Sequence, residues 1–367
     1  MAKARKTPST SDPIADGRDY LSDRLAALKK LNKLTPGAFV DPKEVVERVS
    51  TGSLAVDHIT GGGFARARFN ELFGSPGSGK STLAAMACAK AQAQGLYPVY
   101  IDIENGLDRQ YAERMGFDVG AALNGERGLY LKPRTFEETL TVIYTMVTEG
   151  SADIVFVDSV AGLVPESAFS ADITELGAIG QQARMMSAAL PKLVHVLRDH
   201  KTALVFVNQV RANIDTSWTP NPGARAQTKS QGGWALFHWS SLRLELVQLK
   251  KVAKFIEQPS ITDPSKKDKI PTASLHSAMT FKNKVYPPYR KIEFYIRYDE
   301  AQDIWGVDNL QTLLDIASSK QQITTKPGGY YLYKGAEDMN VRGEDAMYEW
   351  FSTHPDAIAE LLTILQL

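Results

Sequence analysis

Between about residues 50 and 300, short runs of consecutive apolar positions alternate with stretches where apolar residues recur every three or four places. The runs 69–74 (FNELFG), 97–102 (YPVYID), 153–158 (DIVFVD), 202–208 (TALVFVN) and 242–248 (LRLELVQ) have the length and composition of strands. Helical spacing fills the intervals 80–94, 107–115, 135–149 and 181–199. The alternation predicts an α/β fold with a mainly parallel sheet covered by helices. Strands that are apolar without alternation must be buried on both faces. The runs 278–283 (AMTFKN) and 292–298 (IEFYIRY) follow without long helices and predict an antiparallel extension. Residues 257–273, with three prolines and clustered lysines, read as an insertion or loop. Upstream, Tyr20, Leu21, Leu25, Leu28 and Leu31 have helical spacing across 18–33, and Pro36-Gly37 ends that segment. Beyond about 303, helical patterns at 307–318, 343–354 and 355–366 surround the turn GGYYLYKG and predict a small α+β unit.

Composition narrows the class. The 367 residues are 43% hydrophobic, ample for a large core, and include one cysteine, Cys88, so no intrachain disulfide forms. Cys88 falls in an Ala-rich helical stretch and reads as a small buried hydrophobe. No apolar run reaches 18 residues, and the start MAKARKTPSTSDP has no apolar segment. The expectation is a cytoplasmic protein with no membrane partner. Net charge is zero, but unevenly spread. Residues 250–270 hold six lysines against three acids, and Gly335 onward holds seven acids against Arg342. The first 14 residues are small, polar and basic, and predict a disordered tail.

The chemistry is carried by GSPGSGKS (74–81), which fits G-x-x-x-x-G-K-[ST]. A chance match in a chain of this size is on the order of one in a hundred, and the flanking strand and helix strengthen it. Glycines let backbone N–H groups wrap a polyphosphate at a helix N-terminus. Gly74, Ser75, Pro76, Gly77, Ser78, Gly79, Lys80, Ser81 and Thr82 are therefore the expected nucleotide cradle. Lys80 is expected to reach the β- and γ-phosphates and Ser81 to hold Mg²⁺. Asp158 ends the run DIVFVD, where ligands sit in open sheets, and is expected to hold Mg²⁺ through water. Glu104, just past the run YPVYID, can polarise an attacking water. The strand 202–208 runs into residues 211–232, rich in Pro, Gly, Ser, Thr and Gln, a length that marks a functional or disordered loop. The remaining histidines show no metal-ligand spacing.

Taken in order, STGSLAVD (50–57), GSPGSGKST (74–82), YIDIENGLDRQYAERMGFD (100–118), VFVDSVAGLVP (155–165), QARMMSAALPKL (182–193), VFVNQVR (205–211), GGWAL (232–236) and FKNK (281–284) resemble RecA-type recombinases. The segment GGYYLYKG…GEDAMYEWFSTHPDAIAELL is similar to that family's C-terminal domain, so the resemblance covers roughly 45–365. It implies a P-loop ATPase core with a mainly parallel twisted sheet, an N-terminal helix and a small α+β C-terminal domain. The implied divisions are a tail (1–14), an oligomerisation helix and strand (15–48), the core (49–302) and the C-terminal domain (303–367).

The resemblance also implies roles. Glu104 matches the water-activating glutamate, Asp108 and Tyr111 the adenine contacts, and Gln209 the γ-phosphate sensor joined to a DNA loop. Lys282 and Lys284 match a pair that reaches a neighbour's ATP; lysines at i and i+2 also leave one face of a strand together. The second DNA loop is then 211–232, with Arg211, Arg225 and Lys229 as cations and Gln227, Thr228, Gln231, Gly232 and Gly233 as sequence-blind contacts. Trp218 offers a stacking face to a base. The first DNA loop falls near 166–180, with Ile179 and Gly180 at the position that wedges between bases and Arg184 as a phosphate contact.

The chain departs from the pattern in places. Its second loop is longer, His238 stands where the family packs a Phe into the next subunit, with Phe237 adjacent, and Pro191 replaces a basic position. Residues 250–275 have little family character, and the chain carries no long acidic tail. These mark a divergent member of bacterial or viral origin. The expected activity is DNA-dependent ATP hydrolysis coupled to strand exchange. It would run in a helical homo-oligomer on single-stranded DNA, pairing with homologous duplex, with loader or single-strand-binding proteins as further partners. Two rivals use the same core: a ring-forming helicase, which would unwind duplexes, and an accessory paralogue, which would bind ATP and DNA without exchange. The ordered FKNK, QARMMS and C-terminal segments weigh against the first, and Lys80, Glu104, Asp158 and Gln209 against the second.

Overall fold

The computed structural model describes residues 17–34, 45–169, 181–210, 233–259 and 267–367. Met1–Val45 form one compact unit and Val46–Leu367 another. The first contains helix α1 (Gly17–Leu34), on which Leu25, Leu28 and Leu31 are 57%, 47% and 50% exposed.

The second unit opens with β1 (Arg48–Val49), α2 (Leu54–Thr60) and β2 (Phe64–Ala65). Next come β3 (Arg68–Gly74), α3 (Lys80–Ala93), β4 (Pro98–Asp102), α4 (Arg109–Arg114), α5 (Val119–Leu123), β5 (Leu129–Leu131) and α6 (Phe136–Thr148). They are followed by β6 (Ile154–Asp158), α7 (Glu166–Phe169), α8 (Gln181–Asp199), β7 (Ala203–Gln209) and α9 (Gly233–Trp239). Then come β8 (Leu242–Pro259), β9 (Lys267–Asn283), β10 (Lys291–Asp299), β11 (Ile304–Val307) and α10 (Asn309–Ser319). Last are β12 (Ile323–Lys326), β13 (Tyr330–Tyr333), β14 (Ala336–Arg342), α11 (Glu344–Thr353) and α12 (Pro355–Leu365).

Nine strands form one sheet in the order β11-β10-β9-β8-β3-β7-β6-β4-β5. From β8 to β5 neighbours run parallel, and from β8 to β11 antiparallel. Strands β3, β4, β6 and β7 are buried along almost their whole length, which is why they read as unbroken apolar runs. One face is covered by α3, whose Leu83, Ala84, Ala87, Cys88 and Ala91 pack on Tyr100, Phe156 and Val205. Cys88 is fully buried there, and burial pushes its thiol pKa up. The other face is covered by α6, α8 and α9 through Phe136, Ile143, Met186, Leu190, Leu197 and Leu236. Helix α8 continues through Pro191, which gives up one helical N–H there. A third cluster, built on Leu313, Tyr333, Met339, Met347 and Phe351, joins α10, α11 and α12 to the separate sheet β12-β13-β14.

Of the segment 257–273, read as an insertion or loop, the described residues 257–259 and 267–273 are strand, which corrects the loop alternative. They belong to a two-stranded ribbon in which Phe255 pairs with Pro271, Ile256 with Ile270 and Pro259 with Lys267. Among the described residues β10 pairs with β9 only as far as Ala273. The proline and lysine content of the ribbon hides its strands in the sequence. Residues 166–169 of the first loop form the short helix α7, and β11 pairs with β10 in the large sheet although it lies past residue 303. Residues 170–180 and 211–232 lie outside the described residues, and with them Ile179, Gly180, Arg211, Trp218, Arg225, Gln227, Thr228, Lys229, Gln231 and Gly232.

Candidate functional site

The carboxyl ends of β3, β4, β6 and β7 lie side by side, so one edge of the sheet gathers the phosphate-loop motif, Glu104, Asp158 and Gln209. β3 ends at Gly74, and the loop that follows enters α3 at Lys80. Two glycines are dictated by geometry. A Cβ on Gly74 would lie 2.2 Å from the Leu246 carbonyl oxygen. Gly79 has φ +89, and a Cβ there would lie 2.5 Å from Ile296 Cδ1.

Lys80 is buried and curls back on its own loop. Its Nζ donates to Gly74 O at 3.1 Å, Ser75 O at 2.8 Å and Ser78 Oγ at 3.4 Å. Burial lowers its pKa, against the pull of Asp158 and Glu104. Ser81 Oγ donates to Asp158 Oδ2 at 2.6 Å, and Tyr100 OH donates to the same oxygen at 2.7 Å. Burial raises the pKa of Asp158, and Glu104 and Asp102 add to the rise, while the bonds from Ser81 and Tyr100 oppose it. A carboxylate desolvated in this way gains from a neighbouring cation, and the hydroxyl–carboxylate pair is an all-oxygen donor set of the kind Mg²⁺ takes.

Glu104 sits exposed just past β4, but both oxygens are engaged. Gln209 Nε2 lies 3.1 Å from Oε1 and 3.0 Å from Oε2, and Ser159 Oγ donates to Oε1. Gln209 is the last residue of β7, and Val210 beside it donates its N–H to Gly74 O at 3.2 Å. The strand leading to residues 211–232 is thereby tied to both the phosphate loop and Glu104.

A cavity of about 400 Å³ continues from Gly77–Thr82 to Tyr111, Gln248, Ser274, His276, Ile296 and Tyr298. Tyr111 lines the cavity with Thr82 and meets Trp305 edge-on at 6.0 Å. Asp108 caps α4, accepting from Tyr111 N at 2.7 Å. His276 buttresses the loop from behind, with Nδ1 3.1 Å from Ser78 O and Nε2 2.8 Å from Ser274 Oγ. A neutral ring donating through Nδ1 satisfies both, and burial lowers its pKa accordingly.

Tyr100, Ser159, Gln248, His276 and Tyr298 are site residues that the sequence reading passed over. Ser159 follows Asp158 directly and could have been found. Gln248, His276 and Tyr298 arrive from the antiparallel strands and share no local motif with the loop.

The two lysines differ in exposure: Lys282 is half-buried and Lys284 exposed. Lys282 Nζ donates to the Phe237 and His238 carbonyls at 2.6 and 3.0 Å, at the C-terminal end of α9. Burial, with Lys284 and Arg243 nearby, lowers its pKa to about 8, against the pull of Glu71. The cost of burying that charge is complete below pH 8 and fades as pH rises toward the ordinary lysine value of 10.5. Lys284 lies past the end of β9 and is exposed. His238 is also exposed, whereas Phe237 turns inward beneath Lys282, 5.2 Å from its ring, and beside Arg243, at 5.0 Å. Arg184 is exposed near the start of α8, and Gly233 opens α9. Among the described residues, no helix is long and apolar enough to cross a membrane.

Comparison with known proteins agrees with this geometry. Residues 31–303 match the family described as RecA N-terminal domain. The Protein RecA of Limosilactobacillus reuteri (strain DSM 20016) is 35% identical over 357 residues, covering 95% of this chain and 88% of that protein. The Protein RecA of Aquifex aeolicus is 33% identical over 357 residues, covering 96% and 93%. The crystal structure of the RadB recombinase, 23% identical, covers 68% of this chain and 96% of its own with a TM-score of 0.47. That superposition is too loose to bear on the fold, which rests on the strand order above.

Proposed function

The chain belongs to the RecA family, and on that premise we propose that it is an ATP-dependent recombinase that assembles on single-stranded DNA and exchanges strands with homologous duplex. The observation that carries the reading is the Gln209–Glu104 contact. One residue at the root of the 211–232 segment holds the carboxylate best placed to activate water.

ATP is the substrate. Its phosphates fit the Gly-rich turn, where Lys80 exchanges its own loop's carbonyls for phosphate oxygens. Ser81 and Asp158 would hold Mg²⁺, which neutralises charge developing on the phosphoryl oxygens. Tyr111, with Tyr298 across the cavity, flanks the space for the base, and Asp108 holds the turn that presents Tyr111. Glu104 takes the proton of the attacking water, and it can do so once Gln209 turns from it toward the γ-phosphate. That turn is felt directly in the 211–232 segment, where Arg211, Trp218, Arg225, Gln227, Thr228 and Lys229 meet DNA. Ile179, Gly180 and Arg184 serve the same strand from the other loop, and Lys282 and Lys284 act on the ATP of an adjoining subunit.

The filament reading has its own support. Leu25, Leu28 and Leu31 form an exposed apolar stripe on α1. An apolar groove of about 440 Å³ runs between α6 and α8, lined by Phe136, Leu140, Tyr144, Met185, Ala189 and Leu193. Seating α1 of one copy in the groove of the next gives a head-to-tail contact that does not close. Burying one leucine is worth roughly 1.5–3 kcal/mol, and each 1.4 kcal/mol is about tenfold in affinity. Leu28→Asp is therefore expected to weaken assembly by more than tenfold in light scattering while the isolated subunit still binds nucleotide.

The decisive test is ATP hydrolysis with and without single-stranded DNA, with electron micrographs of the same samples. The expected result is DNA-stimulated turnover on helical filaments. DNA-independent turnover, or closed rings, would overturn the reading.

A further inference from the structure

One buried ion pair takes no part in the chemistry above. Glu71 is 0% and Arg243 2% exposed, and Arg243 Nε lies 2.5 Å from Glu71 Oε2. They are direct neighbours across β3 and β8. Such a pair is weak support for stability, because desolvating two charges costs about what their attraction returns. This one is also imperfectly satisfied: among the described residues, Arg243 Nη1 is buried with no hydrogen-bond partner. A pair kept under those terms calls for another explanation.

Its contacts supply one. Glu71 Oε1 accepts from Asn208 Nδ2 at 3.0 Å, and Asn208 is the residue before Gln209 on β7. On the other side the Arg243 guanidinium lies 4.6 Å from the Phe73 ring and 5.0 Å from the Phe237 ring on α9. Strand β7 leads into the 211–232 segment and α9 follows it. One ion pair therefore grips both roots of that segment, and it does so from β3, the strand that carries the phosphate loop. Lys282 reinforces the far root by holding the last carbonyls of α9.

We infer that the Glu71–Arg243 pair is a positioning element that ties both roots of the 211–232 segment to the phosphate-loop strand, so that DNA bound on the segment changes hydrolysis at the nucleotide. The inference rests on the functional reading above. Its mechanical content is that either root can shift only together with the pair. Neither residue touches nucleotide or DNA, so removing the pair should uncouple the two sites and leave each able to bind.

The test replaces both charges at once, as Glu71→Gln with Arg243→Met, because removing one partner alone strands a buried charge. Thermal melting, nucleotide affinity, single-stranded DNA affinity and the ratio of ATP turnover with and without DNA are measured on the full chain. Melting and both affinities are expected to stay close to wild type, while the turnover ratio falls by roughly tenfold, within the ordinary range of coupling between sites. A merely structural pair leaves the ratio unchanged, whether or not melting falls, and that result would overturn the inference. Phe237→Leu, which leaves the pair intact and removes only the ring it grips, should lower the ratio in the same direction. It decides the matter if the double variant does not fold, and an unchanged ratio counts against the inference. A wild type that DNA fails to stimulate overturns the functional reading together with this one, and is recognised before any variant is made.

Discussion

Glu104→Gln is expected to slow ATP hydrolysis by roughly 10²- to 10⁴-fold, the usual worth of a positioned general base, and to leave ATP binding within a few-fold of wild type. The argument is geometric. Glu104 lies beyond the end of β4, while the groups that would grip the phosphates, Lys80 and Ser81, start α3. The cradle's hydrogen bonds do not run to this carboxylate: Lys80 is held by Gly74, Ser75 and Ser78, and Ser81 by Asp158. Glutamine keeps the length of the side chain and can still accept from Gln209 and Ser159, so local structure should survive. What it loses is the capacity to take a proton. Single-turnover hydrolysis, set beside the binding of a fluorescent ATP analogue, separates the two effects. Equal losses in binding and turnover would instead place Glu104 in the cradle and leave the water without a base.

How far the sequence revealed this arrangement depends on where each residue's signal lies. Lys80 and Ser81 could be located by the phosphate-loop motif between β3 and α3, and Asp158 and Glu104 because they stand at or just past the end of an apolar run that had to be a parallel strand, and such strands deliver their last residues to one edge. Gln209 was assigned by resemblance, and β7 brings it to Glu104. The remainder of the cavity was hidden because it is assembled across sequence. His276 and Tyr298 come from β9 and β10, roughly two hundred residues after the loop they face, and no local pattern announces them. The outer part of the ribbon of β8 and β9 carries strand hydrogen bonds in a stretch whose prolines and lysines do not read as strand. At Phe237 and His238 the sequence posed a question that only packing answers. The aromatic ring is held inside the subunit by two cations, and the imidazole is exposed.

Gln209→Ala should abolish stimulation of hydrolysis by single-stranded DNA and leave DNA-free turnover no lower than in wild type. The Gln209 amide spans both Glu104 oxygens, and Ser159 holds one of them as well. Both donors restrain the carboxylate. Alanine releases one of the two restraints, which by itself favours hydrolysis. It also removes the only side chain at the end of β7 that can pass from Glu104 to a phosphate as the following segment moves. The signal from DNA then has no route along this strand. Loss of stimulation alone would fit simple failure to bind DNA, so fluorescence anisotropy of a labelled oligonucleotide has to accompany the ATPase assay. Intact DNA binding with a flat response assigns the defect to transmission. A variant that DNA still stimulates would show that the contact between Gln209 and Glu104 is incidental, and would move the coupling to the α9 root of the segment, where Phe237 and Lys282 lie.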